Sequence, residues 1–319
     1  GVHGDRCAPW LLCIAVLSTM VIGNLAWTQS AVADAPRGKP QFDRLTPDQF
    51  AVLKPGDEFQ DCPVCPRMVV VRTGSFMMGS SDGNQDERPV RKVTIKRAFA
   101  AGKFEVTVAE YEACVKNGAC DEPQWRQRSS YYNIKTGSND HYKRMRSALT
   151  DPRHPIVGVS WINARQLVDW VNEKVGGASY RLLAEAEWEY LARAGKGQRN
   201  YGWGDRFKPD YANSAVKSAR DRWAFTSPVG SVPRNSYGLH DLHGNVWEWV
   251  QDCYTPSYIG APSNGTARQT EECNRRVVRG GAWYYAPRLL RSADRYGLSF
   301  VRRRNDTGFR VGRTLSTPD

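Results

Sequence analysis

From Tyr201 onward no run keeps helical periodicity; short apolar pieces are divided by Gly, Asn, Trp and Arg, as in "RGGAWYYAPRLLRSADR" (residues 279–295). Such texture builds short strands and turns. Helical patterns sit upstream. "TVAEYEACVKNG" opens on Thr107 and Glu110 at capping-box spacing, aligns Val108, Tyr111 and Val115, and stops at Gly118. "SWINARQLVDWVNEKVGG" starts from Ser160, aligns Ala164, Leu167, Val168 and Val171, and stops at Gly176. A shorter helix in "AEAEWEYLARAG" turns Trp188, Leu191 and Ala192 inward and stops at Gly195. Nearer the N-terminus, "MVVVRTGSFMMGS" predicts a strand, a Gly-Ser turn and a second strand, and Val90 to Phe99 predicts a half-buried strand. Residues 121–155 form a polar, Tyr- and Arg-rich insertion without periodicity, a kind of loop that is functional or mobile. Mixed, segregated elements without solenoid repeats give the class α+β.

The first residues carry an apolar run, "WLLCIAVLSTMVIGNLAW", followed by small-residue A-x-A patterns at Ala31–Ala33 and Ala33–Ala35. This predicts a signal peptide over 1–33, cleaved after Ala33, with an uncleaved anchor as the rival reading. A polar linker over 34–60 and a folded domain over 61–315 follow. Setting Cys7 and Cys13 aside with the signal leaves an even set, Cys62, Cys65, Cys114, Cys120, Cys253 and Cys273, which suits an oxidising compartment, periplasmic or secreted. The sequence-local pairing is 62 with 65, 114 with 120, and 253 with 273. "CPVC" has the redox spacing, but it runs into a strand pattern where the redox motif would open a helix, so a structural staple is expected. A net charge of +12, spread along the chain, suits an anionic partner. Export argues against nucleic acid, and a membrane enters only through an uncleaved signal.

Several segments, in order, resemble the signatures of the formylglycine-generating enzyme, or sulfatase-modifying factor, superfamily. They are "GSFMMGS", "DERPVRKVTI", "KFEVTVAEYEACV", "HPIVGVSW", "YRLLAEAEWEYLARAG", "YGLHDLHGNVWEWVQDCY", "RVVRGGAWYYAP", "RSADR" and "TGFRVGR". The resemblance covers residues 60–315 and implies one C-type-lectin-like α+β domain, low in regular secondary structure. That superfamily also holds the ergothioneine sulfoxide synthases and a periplasmic pyoverdine-maturation enzyme.

The resemblance also implies calcium. One ion would be held by Asn213, Ser214, Asp221 and Trp223, and a second by Gly244, Asn245, Val246 and Glu248. Carboxylate, amide and carbonyl oxygens in irregular turns suit a hard cation; the rival reading pairs Glu248 with an arginine. "DGNQDE" lacks the sixth-position glycine of a calcium loop and reads as solvated. The copper-binding cysteines of sulfatase-activating members fall on Tyr285 and Leu290, neither of which supplies a thiolate, so copper chemistry is not expected. The histidine motif of the iron-dependent members is absent, and iron stays open. Ala184 stands where the family has a helix-capping threonine, a change that costs about 1 kcal/mol unless another group serves.

What remains is a groove. By the resemblance Trp249 lines it, and Trp283 and Tyr285 add aromatic faces. Arg288, Arg291 and Arg295 can present guanidinium forks to an anion, or else form internal ion pairs. Asp306 or Tyr285 would act as acid or base. Two functions fit: a periplasmic maturation or accessory factor of the pyoverdine type, acting on an anionic or peptide-like small molecule or on a periplasmic protein partner; or a non-catalytic lectin-like module binding an anionic glycan, peptide or protein.

Overall fold

The computed structural model describes residues 52–177 and 180–315. The predicted signal peptide and most of the predicted linker lie outside the described residues. In chain order the strands are β1 (Glu58–Phe59), β2 (Met68–Val71), β3 (Gly74–Met78), β4 (Arg91–Ile95), β5 (Phe99–Gly102), β6 (Tyr180–Leu182), β7 (Trp247–Cys253), β8 (Arg275–Arg279), β9 (Arg295–Ser299), β10 (Thr307–Phe309) and β11 (Val311–Thr314). The helices are α1 (Val108–Lys116), α2 (Asp140–Arg144), α3 (Arg146–Thr150), α4 (Trp161–Lys174) and α5 (Glu185–Arg193). Among the described residues no helix is long and apolar enough to cross a membrane.

Among the described residues, three sheets organise the fold. A five-stranded sheet runs β1-β2-β5-β11-β6, antiparallel throughout. A four-stranded sheet runs β10-β7-β8-β9, with β10 parallel to β7, and β3 pairs with β4 as a ribbon. The linker's last residues are part of the fold, because β1 pairs with β2 and Glu58 accepts Lys103 at 2.6 Å. The predicted Gly-Ser turn is not there: Gly74 and Ser75 open β3, and the chain breaks at Arg72 and Thr73. β2 is buried along its whole length and sits inside the large sheet, whereas β3 alternates in exposure and suits a ribbon. The predicted Val90–Phe99 strand likewise divides into β4, in the ribbon, and the start of β5, in the large sheet.

The helices follow local chemistry. Thr107 Oγ1 accepts the Glu110 amide at 3.2 Å and Glu110 accepts the Thr107 amide at 2.8 Å, a closed capping box for α1. Ser160 accepts the Asn163 amide at the start of α4. For α5, Ala184 offers no side-chain acceptor to the first turn, and two carboxylates take other amides at the helix start. Glu187 accepts the Ala184 amide at 2.9 Å, and Asp252 of β7 accepts the Glu185 amide at 2.6 Å. The 121–155 insertion holds α2 and α3, each five residues long and too short to show a period. Disulfides join Cys62 to Cys65, Cys114 to Cys120, and Cys253 to Cys273, the pairing expected from the sequence.

Buried charge ties the sheets to α5. Its three glutamates are all buried and paired with arginines: Glu185 with Arg295 and, at 3.5 Å, Arg279; Glu187 with Arg181; and Glu189 with Arg279 and Arg193. A buried carboxylate is tolerated only when paired and hydrogen-bonded, so these contacts fix α5 against β8, β9 and β6.

Candidate functional site

The loop after β8 builds the site. Gly280 and Gly281 both have positive φ, 99° and 74°. A Cβ on Gly281 would lie 2.7 Å from the Leu289 carbonyl, so the tight turn requires glycine there. The turn delivers Trp283, Tyr284 and Tyr285 to Arg304 and Asp306, which precede β10. Tyr284 donates to Asp306 Oδ2 at 2.7 Å and Tyr285 lies 3.4 Å from the same oxygen. Arg304 donates to Asp306 Oδ1 and Oδ2 at 2.8 and 2.6 Å and to the Tyr285 hydroxyl at 2.8 Å. Asp306 is fully buried while Tyr284 is 40% exposed, so an incoming molecule meets phenols and guanidinium before the carboxylate. Burial, then the adjacent Asp306 charge, pushes the Tyr284 phenol far above its ordinary range, leaving it a protonated donor. Asp306 in turn holds Arg304 firmly cationic.

The insertion supplies a wall. His141 of α2 stacks on Trp283 at 6.1 Å between centroids, and Phe225 meets Trp283 edge-on at 5.3 Å. Burial, then Arg144, lowers the His141 pKa and keeps the ring neutral at pH 7. The Trp283 indole N–H has no hydrogen-bond partner. Trp247 packs edge-on to Tyr285 at 5.6 Å. Sequence reasoning missed Arg304 and His141: one sits in the basic run Arg302–Arg304, where a single arginine carries no signal of its own, the other in an aperiodic insertion.

The predicted groove arginines separate. Arg291 pairs bidentately with buried Glu87, at 2.6 and 2.9 Å. Arg295 is buried, pairs with Glu185 at 2.7 and 2.8 Å, and lies over the rings of Tyr258 and Tyr254. Both are structural ties rather than groove residues; Arg288 alone of the three is exposed. Trp249 is not a groove wall either. It is buried in the core and donates to the Val159 carbonyl at 3.2 Å. Tyr285 does stand with Asp306, and Trp283 packs against Tyr284 at 4.6 Å.

The expected calcium ligands are brought together, but the chain's own donors take their oxygens. Lys217 Nζ lies 3.1 Å from Asn213 Oδ1, 3.4 and 3.5 Å from the Asp221 carboxylate, and 3.4 Å from the Trp283 carbonyl. Asp221 also accepts the Ser214 amide at 2.8 Å. Trp223 follows on the same loop. In the second set, Asn245 Oδ1 accepts Asn213 Nδ2 and the Ser227 amide. Glu248 is gripped by Arg310 at 2.8–3.2 Å and by the Trp188 indole at 2.7 Å, the arginine pairing that rivalled calcium. Gly244 and Val246 flank Asn245 in this turn, where the Gly244 amide donates to the Gly280 carbonyl and the Val246 amide faces Glu105. Among the described residues no three His, Cys, Asp or Glu side chains form a metal-holding group. As arranged, these residues do not fit a calcium ion. Asp241 was outside the expected set; its Oδ1 is buried without a partner, and burial pushes its carboxyl up to about 7.

At the positions of the copper cysteines, Tyr285 belongs to the phenol cluster and Leu290 is fully buried beside Tyr201 and Ala212. The site therefore carries phenols, a guanidinium and a carboxylate where the resemblance expects two thiolates. Residues 55–315 match the Sulfatase-modifying factor enzyme 1-like domain. The chain is 31% identical to the inactive C-alpha-formylglycine-generating enzyme 2 of Bos taurus, over 68% of this chain and 76% of that one. It is 31% identical to the serine/threonine-protein kinase pkn1 of Chlamydia pneumoniae over 80% of this chain, but spans only 39% of that longer protein. The structure of PvdO from Pseudomonas aeruginosa superposes with a TM-score of 0.68 at 34% identity, covering 82% of this chain and all of that one. The chain belongs to the sulfatase-modifying factor enzyme 1-like family, in a single α+β domain of the formylglycine-generating-enzyme type.

Proposed function

We propose that the protein is an exported maturation or accessory factor of the PvdO kind, working in the periplasm or outside the cell without copper–thiolate chemistry. It engages an anionic or peptide-like molecule on Tyr284, Tyr285 and Arg304. The observation that carries this is the cluster itself: Tyr285 stands at a copper-ligand position and is locked to Arg304 and Asp306. The three disulfides among the described residues support an oxidising compartment. Next to Arg304 in sequence, Arg302 and Arg303 line a cavity of about 350 Å³ with Gln124, Tyr132 and Ser299, which suits a negatively charged group. Where a proton must move, the Tyr285 hydroxyl would donate it, with the Arg304 guanidinium at 2.8 Å to offset the phenolate.

The lectin-like binding reading has an observation of its own. Asp306 is already saturated by Arg304, Tyr284 and Thr307, and the Tyr284 phenol stays protonated, an arrangement better made for holding than for proton abstraction. One experiment separates the two. A pyoverdine-type peptide carrying the unmatured chromophore is titrated into wild type, Tyr285→Phe and Arg304→Gln, following absorbance and heat together. Turnover that Tyr285→Phe abolishes supports a maturation enzyme. Binding without turnover, weakened at least tenfold by Arg304→Gln, supports the accessory reading. Neither binding nor turnover would remove the pyoverdine-type assignment.

A further inference from the structure

The loop between Asn213 and Trp223 brings side chains and backbone to one small cradle of oxygens. Asn213 Oδ1, both Asp221 carboxylate oxygens and the Trp283 carbonyl all face a single point. Asp221 and Asn213 are fully buried, so these oxygens lack the water that would otherwise satisfy them. A cation is what such a cradle calls for. The cation on hand belongs to the chain. Lys217 crosses the rim with a side chain 40% exposed and puts its ammonium within 3.1–3.5 Å of all four oxygens.

From this geometry we infer that Lys217 is the resident cation of the cradle, a tethered ammonium standing where the family resemblance expects calcium. A divalent ion and the ammonium cannot share the position: the oxygens that would ligate the ion at about 2.3–2.6 Å already surround Nζ. The arrangement also reaches the phenol cluster. Lys217 holds the Trp283 carbonyl, and the Ala215 amide donates to the Tyr285 carbonyl at 3.1 Å, so the lysine clamps this loop to the segment carrying Tyr284 and Tyr285. The clamp works whether or not calcium is present. Lys217 is thus a positioning residue, and removing it opens a calcium site the wild type does not have.

The test is calcium stoichiometry on protein stripped with EDTA. Calcium is titrated calorimetrically into wild type, Lys217→Ala and Lys217→Gln, with terbium luminescence sensitised by Trp223 and Trp283 as a second readout. Each variant is expected to bind one equivalent more than wild type, and Asp221→Asn added to Lys217→Ala is expected to remove that equivalent. Because the comparison is a difference, calcium bound elsewhere on the protein does not affect it. Equal stoichiometry in wild type and both variants overturns the inference, whether the shared number is zero or not. An extra equivalent that survives Asp221→Asn overturns it too, since the new ion would then sit outside the cradle. Far-UV circular dichroism of the variants, expected to match wild type because the lysine stem is on the rim, shows that the fold is retained.

Discussion

Arg295 sits between two readings, and its substitution decides between them. In the sequence it is one of three arginines that can face a ligand; in the fold it is buried against Glu185. Arg295→Met keeps the volume and the apolar stem but removes the charge. Its loss takes away the bidentate contact to Glu185 at 2.7 and 2.8 Å and leaves the Asp86 and Thr255 carbonyls without their donor. Glu185 keeps Arg279 at 3.5 Å and the Tyr258 hydroxyl at 3.1 Å, so it is weakened rather than stranded. Breaking one side of a buried ion pair costs roughly 3–5 kcal/mol, and a surviving second partner puts this case at the lower end, about 3 kcal/mol. Urea unfolding, read as a shift of midpoint at constant slope, measures it. Glu185 adds a pH signature. Burial pushes its carboxyl up, but Arg295 and Arg279 outweigh this and hold the folded pKa below the ordinary carboxylate value, so its contribution is present above that value and lost as pH falls through the lower folded one. The deficit of Arg295→Met is therefore full at neutral pH and narrows in acid. Arg288→Ala, on the exposed neighbour, is expected within about 0.5 kcal/mol of wild type. Should Arg295→Met unfold within about 1 kcal/mol of wild type, the structural reading of this arginine is wrong.

Other consequences follow from burial and chain connectivity. Burial, reinforced by Glu87, lifts the Asp294 carboxyl to about 8, so the folded protein binds a proton there that the unfolded chain releases near pH 4. Stability from this group is full below pH 4 and falls as pH rises to about 8; wild type should lose up to about 1.4 kcal/mol per pH unit relative to Asp294→Asn, measured between pH 6 and 8. Removing the Cys253–Cys273 bridge with paired serines frees a longer loop than removing Cys114–Cys120. The chain-entropy estimates are about 3 and about 2 kcal/mol, and thermal unfolding should rank them in that order.

What the sequence made legible was local. The Thr107–Glu110 box, the Ser160 cap and the stops at Gly118 and Gly176 involve residues within one turn of each other, and all appear at the ends of α1 and α4. The disulfides follow the sequence-local pairing for a similar reason. Strand partnership was not legible, because β2 and β3 look alike as apolar runs and separate only through the strands they meet, β5 and β4. The same limit governed the site. Arg291 and Arg295 read as ligand forks because their partners, Glu87 and Glu185, lie far away in the chain. Lys217 carries no signal of its own in the sequence, and nothing nearby in the chain reveals that the Trp283 carbonyl completes its cradle. Tyr285 and Leu290 could be read at the copper positions, yet the partnership of Tyr285 with Arg304 required the β10 approach to β7.

The most direct measurement is aldehyde formation. A peptide bearing the sulfatase cysteine motif is incubated with the purified protein, copper and oxygen, and its mass is followed beside that of a formylglycine-generating enzyme. With Tyr285 and Leu290 at the metal positions, the peptide should keep its thiol throughout. Conversion of that cysteine to formylglycine would contradict the account.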